Sequence, residues 1–230
     1  MLRIIWAGML FWVLSGCSSL LYSPSLNLTN QPIQEKQIDM QGGVELLPET
    51  RMLNATFPDN LQLGWSGGLR YGFGKQFNMG FKAWGEFSPR QTLLRGGGSI
   101  DAQFLRIISP QTRLILLPRV GIALNGNSIA GYGLSASAIY QREVSDHFSW
   151  YGGIGAVWGV KDFTQEQNIA NELKMPMGAG VVGNLGIGWQ LTNGLRANIE
   201  LNPILQLNTF DNRQQFLLAP SVGVGYSIIR

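Results

Sequence analysis

Leu61, Leu63, Trp65, Gly67, Leu69, Tyr71 and Phe73 alternate with Gln62, Gly64, Ser66, Gly68, Arg70 and Gly72. One face of this segment is therefore apolar and the other small or polar. A period of two belongs to a strand, because successive side chains leave an extended backbone on opposite sides. Two further segments repeat the pattern. Phe77, Met79, Phe81, Ala83 and Phe87 oppose Asn78, Lys82 and Glu86, and Leu195, Ala197, Ile199 and Leu201 oppose Arg196, Asn198, Glu200 and Asn202. Weaker versions cover about 37–47, 97–108, 112–124, 131–140, 147–159, 178–190 and 214–229. The pattern predicts about ten strands, each near the 9 to 11 residues that a tilted membrane crossing needs.

The connections between these strands vary in length with some regularity. They run long at Pro48–Asn60, short at Gly74–Gln76, long at Ser88–Arg95 and short at Ser109–Gln111. The alternation falters at Asn125–Ala130 and Gln141–Asp146, which are of similar length. It returns with a long loop at Val160–Met177, a tight turn at Leu191–Gly194 and a longer loop at Leu207–Arg213. Short turns on one side and longer loops on the other are the habit of outer-membrane barrels, where the short turns face the periplasm. An even strand number returns the C-terminus to the side where the first strand began.

The alternation alone does not say which face meets water, so two architectures share it. In a transmembrane barrel the apolar face points outward. Trp65, Phe87, Tyr132, Trp158 and Phe216 then fall near the external rim, and Tyr71, Phe77, Tyr140, Trp150, Trp189 and Tyr226 near the periplasmic rim, giving an aromatic belt at each interface. In a soluble sandwich or lipocalin-like barrel the same face turns inward. The second face decides between them, being too rich in Gly and Ser and too poor in charge for a soluble exterior.

Composition agrees. Charged residues make up 13% of the 230-residue chain and hydrophobic residues 45%, with 30 glycines, where a soluble domain carries roughly 25% charge. Only a closed barrel or a helix satisfies all backbone groups in lipid, and no apolar run of about 18 residues follows the N-terminus to form a helix. The length suits one domain. The net charge of +3 comes from scattered Lys and Arg with no basic run, so no nucleic-acid partner is expected.

The N-terminus reads differently. Arg3 precedes an apolar run from Ile4 to Leu14, the size of a signal-peptide core and too short to span a bilayer. The run ends in Leu14-Ser15-Gly16-Cys17, with the only cysteine of the chain, and this resembles the lipobox of bacterial lipoproteins. The alternative for Cys17 is a free cysteine buried beside an uncleaved hydrophobic helix. The resemblance implies cleavage before Cys17 by the lipoprotein-processing machinery, diacylglycerol on its sulfur and a further acyl chain such as palmitate on its amine. More than one chain gives stable anchoring. Ser18, not Asp, follows the cysteine, which resembles the signal for passage to the outer membrane. Residues 1–16 are thus expected to be a signal peptide and 17–36 a lipidated tether. That tether mixes Pro24 and Pro32 with Asn, Gln and Ser in no sustained period and reads as irregular linker, with Leu20, Leu21 and Tyr22 at the membrane surface. Tyr22-Ser23-Pro24 is similar to the segment after the cysteine in some small outer-membrane barrel lipoproteins.

On the inward face, Asp39, Glu45, Glu86, Asp101 and Glu200 oppose Arg70, Lys82, Arg113, Arg119 and Arg196. In a lumen as narrow as that of a ten-stranded barrel, five acids and five bases are expected to pair, with glycines beside them for clearance. Either a structural filling in place of an apolar core or a polar conduit accounts for them.

Signals for chemistry are weak. His147 is the only histidine, with Asp146 before it and Ser149 after it, a set of the kind found in outer-membrane lipid deacylases. Catalysis needs the serine hydroxyl within hydrogen-bond reach of the imidazole, and the topology puts His147 at the periplasmic side, away from a lipopolysaccharide substrate. Gly96-Gly97-Gly98 lacks the Lys-Ser or Lys-Thr of a phosphate loop and opens no helix, so flexibility at a strand start is expected there. No cofactor and no metal are expected. In the loop Val160–Met177, Gln165–Lys174 is expected to form a short amphipathic turn, with Ile169 and Leu173 four residues apart. This loop and Pro48–Asn60 are the expected contacts with an external partner whose identity the residues do not give.

Residues 37–230 therefore resemble the small eight- to ten-stranded outer-membrane barrels. The expected protein is an all-β, antiparallel up-and-down transmembrane barrel of about ten strands. Its partners are outer-membrane lipids and the barrel-assembly machinery, and its N-terminus lies on the periplasmic side. The chain departs from the resemblance at its end, Ser227-Ile228-Ile229-Arg230, where such barrels commonly close on an aromatic residue; Tyr226 stands nearby. The expected role is non-enzymatic, structural or through surface loops, with a small solute channel or a lipid-modifying enzyme as alternatives.

Overall fold

A computed structural model describes Leu26 and residues 33–48, 61–86, 95–125, 128–161, 177–192, 194–208 and 213–228. Among the described residues there are ten strands and no helix: β1 (Ile38–Pro48), β2 (Leu61–Gly74), β3 (Phe77–Glu86), β4 (Arg95–Ser109), β5 (Thr112–Asn125), β6 (Ser128–Ser145), β7 (Phe148–Lys161), β8 (Met177–Gln190), β9 (Leu195–Asn208) and β10 (Arg213–Ile228). Each pairs antiparallel with its neighbours in sequence, and β1 pairs with β10 from Ile38↔Ile228 to Glu45↔Ser221, closing the barrel. Closure leaves no free sheet edge, the condition for placing strands in lipid.

The two faces fall as the alternation predicts. Along β2, Leu63, Trp65, Leu69, Tyr71 and Phe73 are exposed on the outside, while Gly64, Ser66, Arg70 and Gly72 are buried inside. The same division holds on β5, where Leu114, Leu116, Val120 and Ile122 face out, and on β10, where Val222, Val224 and Tyr226 do. Large apolar side chains outside and buried Asp, Glu, Lys and Arg inside invert the arrangement of a soluble protein. A 14-residue strand such as β2 rises about 35 Å when tilted as barrel strands are, enough to cross an apolar band of about 25 Å.

Four connections at one end are short, at residues 75–76, 110–111, 146–147 and 191–194. Gly194 has φ 92°, a left-handed conformation that glycine adopts without steric penalty in a tight turn. At the other end, 49–60, 87–94, 162–176 and 209–212 separate the strands, together with the two residues 126–127. The faltering of the connection lengths is thereby resolved. The expected loops at Asn125–Ala130 and Gln141–Asp146 shrink to two residues each, because β6 extends over Ser128–Ser145 and its ends pair with Asn125 and Phe148. Sequence undercounted β6 because Arg142 and Glu143 break the apolar pattern at the barrel's rim, where polar residues are tolerated.

The aromatic residues gather at both ends. At the short-turn end Tyr71 and Phe73 meet edge-on with centroids 4.9 Å apart, and Phe77 lies 5.1 Å from Phe104 and Tyr140 5.5 Å from Trp150. At the other end Trp65, Tyr132, Trp158 and Phe216 are exposed. Phe87 lies outside the described residues, as do the expected turn at Ile169 and Leu173 and the signal-peptide and lipidation features through Cys17.

Candidate functional site: the barrel lumen

The lumen is where the inward parity of ten strands converges, and its charged side chains are almost wholly excluded from solvent. Asp39, Glu45, Arg70, Lys82, Asp101, Arg113, Arg119, Arg196 and Glu200 are each buried. The side chain of Glu86, the remaining acid of the predicted set, lies outside the described residues. Isolated charges at such depth are unsustainable, so each must be met by an opposite charge or by hydrogen bonds.

Three meetings are resolved in detail. The guanidinium of Arg196 on β9 donates from both terminal nitrogens to the two carboxylate oxygens of Asp39 on β1, a bidentate fork that fixes orientation as well as charge. Ser227 on β10 donates to the same carboxylate at 2.6 Å and accepts from Arg196 at 3.2 Å. Arg70 on β2 pairs with Asp101 on β4 at 2.5 Å and donates to Asn78 on β3 at 2.8 Å. Arg113 on β5 pairs with Glu143 on β6, nearer the rim, where the Glu143 side chain is partly exposed. Lys82 on β3 lies within electrostatic reach of the acids Glu45, Glu200 and Asp101 and of the like-charged Arg119.

Glycines supply the clearance. A Cβ on Gly80 would stand 2.8 Å from a nitrogen of the Arg70 guanidinium, and one on Gly225 would collide with that of Arg196. The glycine triplet at 96–98 stands at the start of β4, as expected, and has a related task. It lies within β4, paired to β3, and a Cβ on Gly97 would come within 2.8 Å of the Trp84 indole.

A second carboxylate centre sits on β9. Glu200 accepts from the Tyr151 hydroxyl of β7, from the Asn198 amide at 2.9 Å and from the backbone N–H of Leu26 at 2.6 Å. Leu26 belongs to the segment expected to run as a linker outside the barrel. It is instead buried in the lumen against Leu105, Ile115, Leu117, Ile139 and Tyr151. Ile33 is likewise buried. Glu35 and Lys36 form a turn, with Lys36 at φ 63°, and that turn is tied to the barrel mouth by Lys36 N–H donating to the Gly72 carbonyl at 2.8 Å.

The lumen is thus less uniformly polar than its charge pattern implies. Beside the patch around Leu26, Trp84, Ala123, Val157, Val182, Ile204 and Ala219 are buried on the inward parity toward the long-loop end. One signal for the patch was present in sequence: Leu114-Ile115-Leu116-Leu117 is apolar on both parities, the mark of a strand covered on both faces. Asn198 and Tyr151 share the inward parity of their strands. For Leu26 no local signal exists, since a lone leucine in an aperiodic polar stretch has no face to declare.

His147 is exposed in the β6–β7 turn, its backbone carbonyl accepting from Gln190 N–H, while Ser149 is buried on the lumen face of β7. The turn and the lumen wall therefore hold them in different environments. Among the described residues no group of three or more His, Cys, Asp and Glu stands close enough to hold a metal ion.

No family model matches the chain, and no curated relative does. Solved structures similar to it include the KdgM porin, 11% identical over 84% of this chain and 99% of that one with a TM-score of 0.40. The outer membrane protease OmpT from Escherichia coli is 8% identical over 89% and 99%, TM-score 0.41, and the outer membrane protein OprG from Pseudomonas aeruginosa 11% identical over 88% and 100%, TM-score 0.36. A porin and a protease both appear among them, and the barrel assignment stands on the strand order of the chain itself.

Proposed function

We propose that this chain is a non-enzymatic outer-membrane β-barrel lipoprotein, anchored through acylated Cys17, that acts as a closed structural element of the cell envelope and presents its longer loops to the exterior. The observation that carries this reading is the inverted barrel: an apolar exterior around a lumen whose charges meet one another across the bore. Side chains committed to Asp39–Arg196 and Arg70–Asp101 pairs stiffen the wall and narrow the bore. Wide aqueous channels belong to barrels of 16 to 18 strands. The lipid anchor is supported by Leu14-Ser15-Gly16-Cys17, and the orientation by the short turns gathering at the end where β1 begins and β10 finishes. Against catalysis stands the separation of exposed His147 from buried Ser149.

The test begins with outer-membrane extracts run on a gel with and without boiling in SDS, alongside labelled palmitate. A compact fast band before boiling, with label lost in Cys17→Ser, is expected. Absence of the shift, with the protein soluble after Cys17→Ser, would replace the membrane barrel with a tethered soluble β-domain. Altered lipid species on overexpression, abolished by His147→Ala, would make the protein an enzyme.

A further inference from the structure

The lumen brings a carboxylate and an apolar wall together around one residue, Leu26. An arriving chain meets two chemistries at once there. On one side the Glu200 carboxylate, held by Tyr151 and Asn198, presents an oxygen that accepts a backbone N–H. On the other, Leu105, Ile115, Leu117 and Ile139 form an apolar wall. Leu26 satisfies both, its N–H 2.6 Å from Glu200 Oε2 and its side chain buried in the wall.

The wall needs such an occupant. Four aliphatic side chains turned into a bore that also carries buried Asp, Glu, Lys and Arg gain nothing from facing polar space, and burying a leucine among them is favourable by the area removed from water. The geometry of entry is built as well. Gln37 N–H donates to the Gln34 carbonyl at 3.1 Å, and the Gln34 N–H donates to the Gln37 side chain at 2.7 Å. The left-handed Lys36 between them completes a reversal just before β1 starts. Gly72, on the inward parity of β2, leaves the space: a Cβ there would clash with the Gln34 backbone and press on Ile33 at 3.0 Å. The turn therefore holds Ile33 buried against the Gly72 position.

We infer that Leu26 is an intramolecular ligand of the lumen, and that its seating at Glu200 seals the barrel. This deepens the closed-barrel reading and rests on it. The ion pairs hold the wall together, while the seal belongs to Leu26. The lumen of an unseated barrel is then a narrow pore lined by charges of both signs, able to pass small ions and able to take a peptide carrying the same leucine from outside the chain.

The experiment uses the full chain reconstituted in planar bilayers. The parent protein is expected to be silent, Leu26→Met to be silent as well, and Leu26→Asp, which sets a second carboxylate against Glu200 and a charge against the apolar wall, to show discrete ion-conductance steps. A synthetic peptide matching residues 18–36 is expected to close the Leu26→Asp pore, and a scrambled peptide of equal composition is not. A Leu26→Asp protein that keeps the compact unboiled gel band yet stays silent would overturn the seal, as would a parent that conducts as the variant does. In a Cys17→Ser background, Leu26→Cys is expected to resist a membrane-impermeant thiol reagent until the barrel is boiled in SDS. Equal labelling before and after boiling would overturn the seat. Loss of the compact band in the parent would instead be a failure of the membrane-barrel reading itself, so the two failures remain distinct.

Discussion

Two regions of one lumen wall solve the problem of an enclosed bore in opposite ways. The charged arc joins β1, β2, β4 and β9 through Asp39–Arg196 and Arg70–Asp101. The apolar patch joins β4, β5, β6 and β7 through Leu105, Ile115, Leu117, Ile139 and Tyr151. The arc is complete within the barrel wall, since each guanidinium finds its carboxylate on another strand. The patch is complete only with Leu26, from outside the wall. Charges can satisfy one another across a gap because their interaction is long-ranged in a low-dielectric interior, whereas aliphatic groups need contact. The difference teaches that the arc serves barrel integrity and the patch serves occupancy.

The comparison breaks first at the arc. Arg196→Ala leaves Asp39 buried with Ser227 as the remaining partner seen in the structure, and removing one member of a buried pair costs about 3–5 kcal/mol. The expected readout is a lower urea midpoint for the barrel refolded in vesicles, and a lower temperature at which the unboiled fast band disappears. Replacing both members, Asp39→Leu with Arg196→Met, is expected to recover most of that loss; a double variant as unstable as Arg196→Ala would show that shape rather than charge matters there.

Ile139→Ala tests the patch. Ile139 is fully buried, and such truncations cost about 2–5 kcal/mol. If the patch serves occupancy, part of this loss appears as weakened seating of Leu26, so thiol labelling of Leu26→Cys is expected to rise while the compact gel band persists. Labelling that stays unchanged would make the patch ordinary wall packing.

Leu116→Arg addresses the outer face between the two patch residues Ile115 and Leu117. Leu116 is half exposed on the lipid side of β5, and an arginine near the membrane midplane costs about 2–4 kcal/mol. The refolding midpoint is expected to fall in vesicles. An equal stability of parent and variant would place this surface in water. The smallest effect is expected from Arg113→Ala. Its partner Glu143 is partly exposed near the rim, so water solvates the carboxylate left behind and the loss is expected to fall well below that of Arg196→Ala. A loss as large as that of Arg196→Ala would extend the buried arc to the rim.

Much of this architecture was legible because the strand period is short and local. Leu63 and Trp65 lie outside and Ser66 and Arg70 inside for a reason contained in the residues between them. The ends of β6 were less legible, since Arg142 and Glu143 carry no apolar alternation, and pairing with β5 and β7 supplies the missing order. The candidate site was legible as a set of inward charges and illegible as a set of partners. Which acid meets which base depends on the register of every intervening strand and on the closure of β1 against β10.

By itself the sequence determined the parity of each strand, the approximate strand number and the residues that must face a shared interior, because alternation couples neighbouring side chains to opposite faces. Only the tertiary structure decided that Asp39 meets Arg196, 157 residues away, and that Leu26, in a stretch with no period, fills the apolar side of the bore. Both outcomes arise from closure. Bringing the first strand to the last encloses a volume that no local segment contains, and what fills that volume is chosen by the shape and charge of all ten strands at once.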